Sequence, residues 1–283
     1  MRKLLVALIL LIFGTSSFAQ FRLGLFGGAA NYQGDLSDRA YQSTKGAFGL
    51  TAGYDLNGRI NLRAGLTFAK VAGADSLTNQ SDLRARNLSF QSQITEFSLI
   101  GEFNTFDLEV KRWSPYVFMG LAVYHFNPYT LDQSGYKVYL QPLRTEGEGL
   151  PGYGSKPYAL TQLAIPFGLG VKYNISDNVR IGAEFGLRKL FTDYLDDVSG
   201  NYADARDLAT YAGPQSVDLS YRGDELPGGN PAYPEKGLTR GNPNSKDYYY
   251  FTGIHLSFLL NGNNGGSYRG HGKKGYGCPA NPM

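Results

Sequence analysis

The chain has little of what usually builds chemistry. Its 283 residues include one cysteine, one tryptophan, three methionines and three histidines. A single thiol excludes an internal disulfide framework and any Cys-x-x-Cys zinc or redox pair. The histidines His125, His255 and His271 are scattered, without metal-ligand spacing. His125 with a loop serine or aspartate lacks the nucleophile motif that a hydrolase needs. No phosphate loop or dinucleotide fingerprint occurs. A formal charge of +3 is too small to mark a nucleic-acid protein. After residue 19 no run approaches the roughly 18 apolar residues of a spanning helix. No catalytic, cofactor-binding or metal-ligating residue is assigned, and the expectation is a protein that is not an enzyme and takes no cofactor.

What is present begins with an export signal. Arg2 and Lys3 form a basic start, Leu4 to Phe13 an apolar core, and Ser17-Phe18-Ala19 a small-x-small cleavage site, so Gln20 is the expected mature start. No cysteine stands directly after that site, which argues against a lipoprotein anchor. The exported chain is then either soluble in the envelope or a β-barrel. Its 21 tyrosines, 17 phenylalanines and 37 glycines suit interfacial girdles and a crowded interior. A mean hydropathy of -0.28 fits a barrel as well as a soluble protein, because only half of each barrel strand is apolar.

Alternation decides between them. From Asn178 to Phe191, Val179, Ile181, Ala183, Phe185 and Leu187 point one way and Arg180, Gly182, Glu184, Gly186 and Arg188 the other. About eight such segments occur: 21–30, 46–55, 59–70, 88–104, 114–127, 160–174, 178–191 and 247–260. Asn57-Gly58 supplies a hairpin signal between the second and third. Tyr250, Ile254, Leu256 and Phe258 form the apolar side of the last. Connections after the second, fourth and sixth segments are short, whereas those after the first, third, fifth and seventh are long. The expected fold is all-β: an antiparallel, up-and-down transmembrane barrel of eight strands, with short periplasmic turns and long extracellular loops. Residues 1–19 are the signal, 20–260 the barrel and 261–283 a flexible, Gly-rich periplasmic tail.

On the second face the ionic residues are Arg59, Arg63, Glu96, Glu102, Lys172, Arg180, Glu184 and Arg188. Eight strands enclose room for side chains or one small ligand. Both signs are present, so a plug of cross-barrel ion pairs is preferred to a selective pore. Past the seventh strand Asp193, Tyr194, Asp196 and Asp197 form a motif at the outer mouth. Hard cations take several carboxylates, yet the spacing lacks the alternation of a known calcium loop, and a hydrogen-bonded turn is the better reading. Cys278 has no partner in the chain. An odd cysteine in an oxidising compartment implies an intermolecular disulfide or a free thiol, and with Lys273 and Lys274 it reads as a docking tail.

Several stretches resemble one family, the PorG outer-membrane barrels of the type IX secretion system. They are Gly27 to Leu36 with its Asn31-Tyr32-x-Gly34-Asp35 core, Ser114 to Gly120 with His125 to Pro128, Ile165 to Tyr173, Arg188 with Phe191 to Ser199, and Asp247 to Leu260 with Gly277-Cys278-Pro279. The resemblance implies a barrel in the outer membrane of a Gram-negative bacterium that anchors a periplasmic ring, built from a lipoprotein and its partner, with Cys278 and the basic tail as tether. The long last loop, with Pro214, Pro227, Pro231, Pro234 and Pro243, departs from that picture. It leaves open a surface barrel of the OmpA or OmpX kind that braces the envelope or binds a ligand through its loops.

Overall fold

A computed structural model describes residues 20–243 and 246–260. Nine strands occur among the described residues: β1 (Gln20–Gln33), β2 (Lys45–Asp55), β3 (Ile60–Ala74), β4 (Ser89–Asn104), β5 (Trp113–Leu131), β6 (Lys137–Tyr139), β7 (Thr161–Asn174), β8 (Val179–Leu190) and β9 (Tyr248–Leu259). All pair antiparallel, and because the first and last strands, β1 and β9, pair as well as β4 and β5, the sheet closes on itself. Eight strands thus form the closed barrel that alternation predicts. The three-residue β6 folds back on the end of β5 and stands outside the ring.

Every strand splits its side chains by parity. In β1, Phe21, Leu23 and Leu25 are exposed, whereas Arg22 and Phe26 are buried. In β5, Val117, Met119, Leu121 and Val123 point out, and Tyr116, Phe118, Ala122 and Tyr124 point in. The outer surface is therefore a belt of large apolar groups; Leu121 alone is 68% exposed. Inside, the rings of Tyr116 and Phe118 lie against the β7 and β8 backbone. A Cβ at Gly168 would sit 2.6 Å from the Phe118 ring, and one at Gly170 would sit 2.6 Å from that of Tyr116. Those glycines are required by close approach, not by turn conformation.

Tyr250 departs from expectation. It lies on the outer face but is buried, because Tyr41 of the β1–β2 loop covers it: the Tyr41 amide donates to the Tyr250 hydroxyl at 2.7 Å and the rings meet edge-on at 5.3 Å. The β2–β3 hairpin forms where Asn57-Gly58 predicts it, with a different mechanism. The Asn57 side-chain oxygen accepts the Arg59 and Ile60 amides at 2.8 Å each, an Asx turn rather than a two-residue loop.

The two ends differ. At one end the turns 56–59, 105–112 and 175–178 are short. The second folds under the barrel, where the Leu108 amide donates to the Gly58 carbonyl at 3.0 Å and its own carbonyl accepts the Asn174 amide at 3.1 Å; Leu108 is buried. At the other end the connections 34–44, 75–88, 132–160 and 191–247 are long. They carry short helices, among them Ser81–Arg86, Ala205–Tyr211 and Pro214–Ser220, which the strand alternation did not reveal. Together they form a packed cap over the barrel mouth. Asp204 starts the helix at Ala205 by accepting the Arg206 and Asp207 amides. No helix among the described residues is long and apolar enough to cross a membrane, which says nothing of the strands.

Candidate functional site

From the short-turn end upward the interior carries layers of ion pairs. Lowest are Arg22, Asp55, Asn61 and Arg180. The Arg22 Nε donates to Asp55 at 2.8 Å, Arg180 reaches the same carboxylate at 3.4 Å, and the Asn61 amide donates to it as well. Above them Arg63 bridges two acids, with its Nε 3.0 Å from Glu102 and an Nη 2.7 Å from Glu184. Lys172 donates to Glu102, and the Tyr116 hydroxyl donates to Glu184 at 2.6 Å. His255 fills the gap between Arg63 and Glu184. Higher still, Arg188 pairs with Glu96 at 3.0 Å and lies 4.1 Å over the Phe251 ring, while the Tyr249 hydroxyl donates to Glu96 at 2.7 Å. Arg22–Asp55 and Arg63–Glu102 join adjacent strands, whereas Arg180–Asp55, Arg63–Glu184, Lys172–Glu102 and Arg188–Glu96 link strands that are not neighbours in the ring and so cross the lumen.

Seven of the ionic residues assigned to the inner face meet in this network: Arg63, Glu96, Glu102, Lys172, Arg180, Glu184 and Arg188. Arg59 does not. Its parity is correct, but β3 begins at Ile60, so Arg59 is an exposed turn residue whose backbone serves the Asx turn. Arg22 and Asp55, which alternation also places inside, were not singled out.

Above the ion pairs lies an aromatic layer. Tyr124 and Phe126 stack at 5.5 Å, Phe126 stacks on Tyr158 at 6.1 Å, and Tyr158 stacks on Tyr194 at 4.8 Å. Over this sits the cap's own polar centre. Arg240 donates to Glu146 at 2.9 Å and to the Asp197 carbonyl at 2.6 Å. Arg86 grips Asp75 with two bonds of 2.8 and 2.7 Å and also donates to the Arg240 carbonyl. Asp197, in the left-handed backbone region at φ 68°, accepts from Thr145 at 2.6 Å and from Tyr158 at 2.7 Å. The Tyr32 hydroxyl lies 2.5 Å from Asp196 and 3.0 Å from Asp247.

The outer-mouth motif is thus built into the cap. Asp193, Asp196 and Asp197 are buried, each with a hydrogen-bonded oxygen. Tyr194 is half-buried and stacked. A hydroxyl has one proton to give, so Tyr32 cannot donate fully to both neighbouring carboxyls at once. Burial drives Asp196 and Asp247 well above the usual carboxylate range, and negative neighbours (Asp35 for the first, Asp196 for the second) push the same way. Burial also lifts Asp193 and Asp197 to about 6 and Glu148 to about 8. Among the described residues no three His, Cys, Asp or Glu side chains are arranged to hold a metal ion. His125 sits on the outer face, 3.0 Å from Thr161. Lys273, Lys274 and Cys278 lie outside the described residues, as do the signal and the rest of the tail.

Residues 2–212 match the model of a family described as a domain of unknown function, DUF6089. The chain belongs to this family. The matched span includes β1 to β8, all seven ion-pairing residues and the Asp193–Asp197 motif. No curated protein sequence matches the chain. Among solved structures it is similar to Neisserial surface protein A, at 12% identity and a TM-score of 0.40, over 85% of this chain and 97% of that one. It is similar to a major outer membrane protein from Thermus thermophilus, at 13% identity and a TM-score of 0.42, over 86% and 99%. It is also similar to the attachment invasion locus protein Ail of Yersinia pestis, at 9% identity and a TM-score of 0.40, over 85% and 97%.

Proposed function

We propose that this chain is a non-conducting barrel of a Gram-negative outer membrane, which holds a folded cap at the cell surface and braces the envelope or binds an extracellular ligand there. The observation that carries this reading is the outer belt, where Leu23, Leu50, Leu99, Leu121, Leu169 and Ile254 are all exposed. An apolar surface of that extent is costly in water and suited to hydrocarbon. Short turns then face the periplasm and the cap faces outward. Cross-barrel ion pairs and the tucked Leu108 turn leave no open conduit among the described residues, which supports a scaffold over a pore. Reconstitution into a planar bilayer tests the reading: insertion without steady conductance is expected, and a stable open channel would overturn it. Deleting residues 214–243 should leave the barrel assembled and abolish surface binding.

A second reading rests on the sequence resemblance to the PorG barrels. Here the barrel anchors a periplasmic ring lipoprotein of the type IX secretion system through residues 261–283, with Cys278, Lys273 and Lys274 as contacts. In support, two of the resembling pieces, Asn31 to Asp35 and Asp193 to Ser199, meet in the cap through Tyr32 and Asp196. Truncation after Leu260 separates the readings. Loss of cargo secretion with an intact barrel supports the tether, and normal secretion removes it. A diagonal gel, non-reducing then reducing, shows whether Cys278 is crosslinked to a partner.

A further inference from the structure

The base of the lumen has a charge imbalance that its side chains do not resolve. A chamber of about 50 Å³ is lined by Arg22, Arg63, Lys172 and Arg180 and by Asp55 and Glu102. Adding Glu184, which binds Arg63, leaves four fixed cations against three carboxylates. A protonated His255 would enlarge the surplus, not cancel it. The excess gathers at Arg22 and Arg180, which share the single carboxylate of Asp55. The Arg22 side chain is 7% exposed, and its buried Nη1 has no hydrogen-bond partner among the described residues. A buried charge without a counter-charge is strongly disfavoured.

The chamber exists because inward positions are glycine. A Cβ at Gly53 would meet nothing closer than 3.8 Å, and one at Gly182 nothing closer than 3.3 Å. The hydroxyls of Thr51 and Ser257 also line the space; that of Ser257 makes a long 3.5 Å bond to the Arg180 carbonyl, which it can exchange for a better acceptor. A water needs about 10–15 Å³ by this measure, so the chamber exceeds one small occupant.

We propose that the chamber holds a monovalent anion of the halide class as a structural ligand, bound by Arg22 Nη1 and Arg180 with the hydroxyls of Thr51 and Ser257. The surplus is a single charge, and the adjacent Asp55 carboxylate repels a dianion, so chloride fits and phosphate does not.

The test uses the mature chain in detergent, melted in sodium bromide and in sodium gluconate at equal ionic strength; gluconate is too large to enter. The wild type should melt higher in bromide by about 4 °C, the shift expected when a ligand binds only the folded state. Crystals grown in bromide should show an anomalous peak within hydrogen-bond distance of Arg22. Arg22→Gln removes the surplus charge and should abolish the difference. Gly53→Asp places a tethered carboxylate opposite Arg22, its cross-strand partner. It should fold and melt alike in both salts, which keeps the test decisive even if Arg22→Gln fails to assemble. Equal melting of the wild type in both salts, absence of the peak, or a Gly53→Asp barrel that still responds to bromide would each overturn the proposal.

Discussion

The lumen and the cap are both buried and polar, yet they solve the problem of burying charge in opposite ways. In the lumen, arginines and a lysine meet carboxylates side by side, and the balance is slightly cationic. In the cap, Asp35, Glu146, Glu148, Asp193, Asp196, Asp197 and Asp247 crowd together with Arg240 as the main cation, and hydroxyls and amides complete the coordination. The first region depends on charge pairing. In the second, burial shifts Asp193, Asp196, Asp197, Asp247 and Glu148 toward their protonated forms. A barrel wall fixes which side chains can face each other, whereas loops gather whatever lies near the mouth.

The largest expected effect breaks a lumen pair. Glu96→Ala strands Arg188 and removes the acceptor of the Tyr249 hydroxyl. Leaving one partner of a buried pair alone costs about 3–5 kcal/mol, to be read from the urea midpoint of the refolded barrel. Restoration by Glu96→Gln with Arg188→Gln would show that the loss comes from the stranded charge. Arg240→Ala should cost somewhat less, about 2–4 kcal/mol for uncompensated Glu146 and lost carbonyl contacts. Its effect should be confined to the cap: protease should cut the loops while the strand circular dichroism persists.

The cap's acidity sets the third expectation. The folded-state values of Asp193, Asp197 and Glu148 are raised, so the native cap binds protons more tightly than the unfolded chain. Stability therefore falls as pH rises through the folded values. Between pH 8 and pH 5 the cap should gain hydrogen-exchange protection on acidification, spanning the values of about 8 for Glu148 and about 6 for the two aspartates. Loss of protection on going to pH 5 would reverse the assignment of the cluster as proton-dependent. Smallest is Arg59→Ala, expected to stay within about 0.5 kcal/mol because the side chain is an exposed turn residue. A larger loss would return Arg59 to the lumen set.

How much was legible follows from the same contrast. Period-two alternation places Glu184 and Arg188 on the inner face of β8 from the residues alone, and strand pairing between chain neighbours follows from short turns. Partners across the lumen, such as Glu96 with Arg188, depend on how far the closed sheet is staggered, which no local pattern records. Arg59 had the right parity and lay one residue before the ladder began. Tyr250 had the right face, and a loop tyrosine from the other end of the chain covered it. The cap was least legible. Its helices are of six or seven residues, too short to show a period, and its chemistry is assembled from Tyr32, Asp75, Glu146, Asp196, Arg240 and Asp247, which are distant in sequence. The motif Asp193 to Asp197 was visible as an acidic turn; the tyrosines that hold it were not.

The Tyr32 hydroxyl sits near the end of the first strand, and Asp247 immediately precedes the last. Those two strands form the seam that closes the ring, and Tyr32 pairs in register with Tyr249 across it. The carboxyl pair around Tyr32 therefore cannot come together in a chain whose last strand is still unpaired. A molecule in which Asp196, Tyr32 and Asp247 have met is thus one whose circle of strands is shut, and the same three groups tie the last long loop to the closing pair of strands.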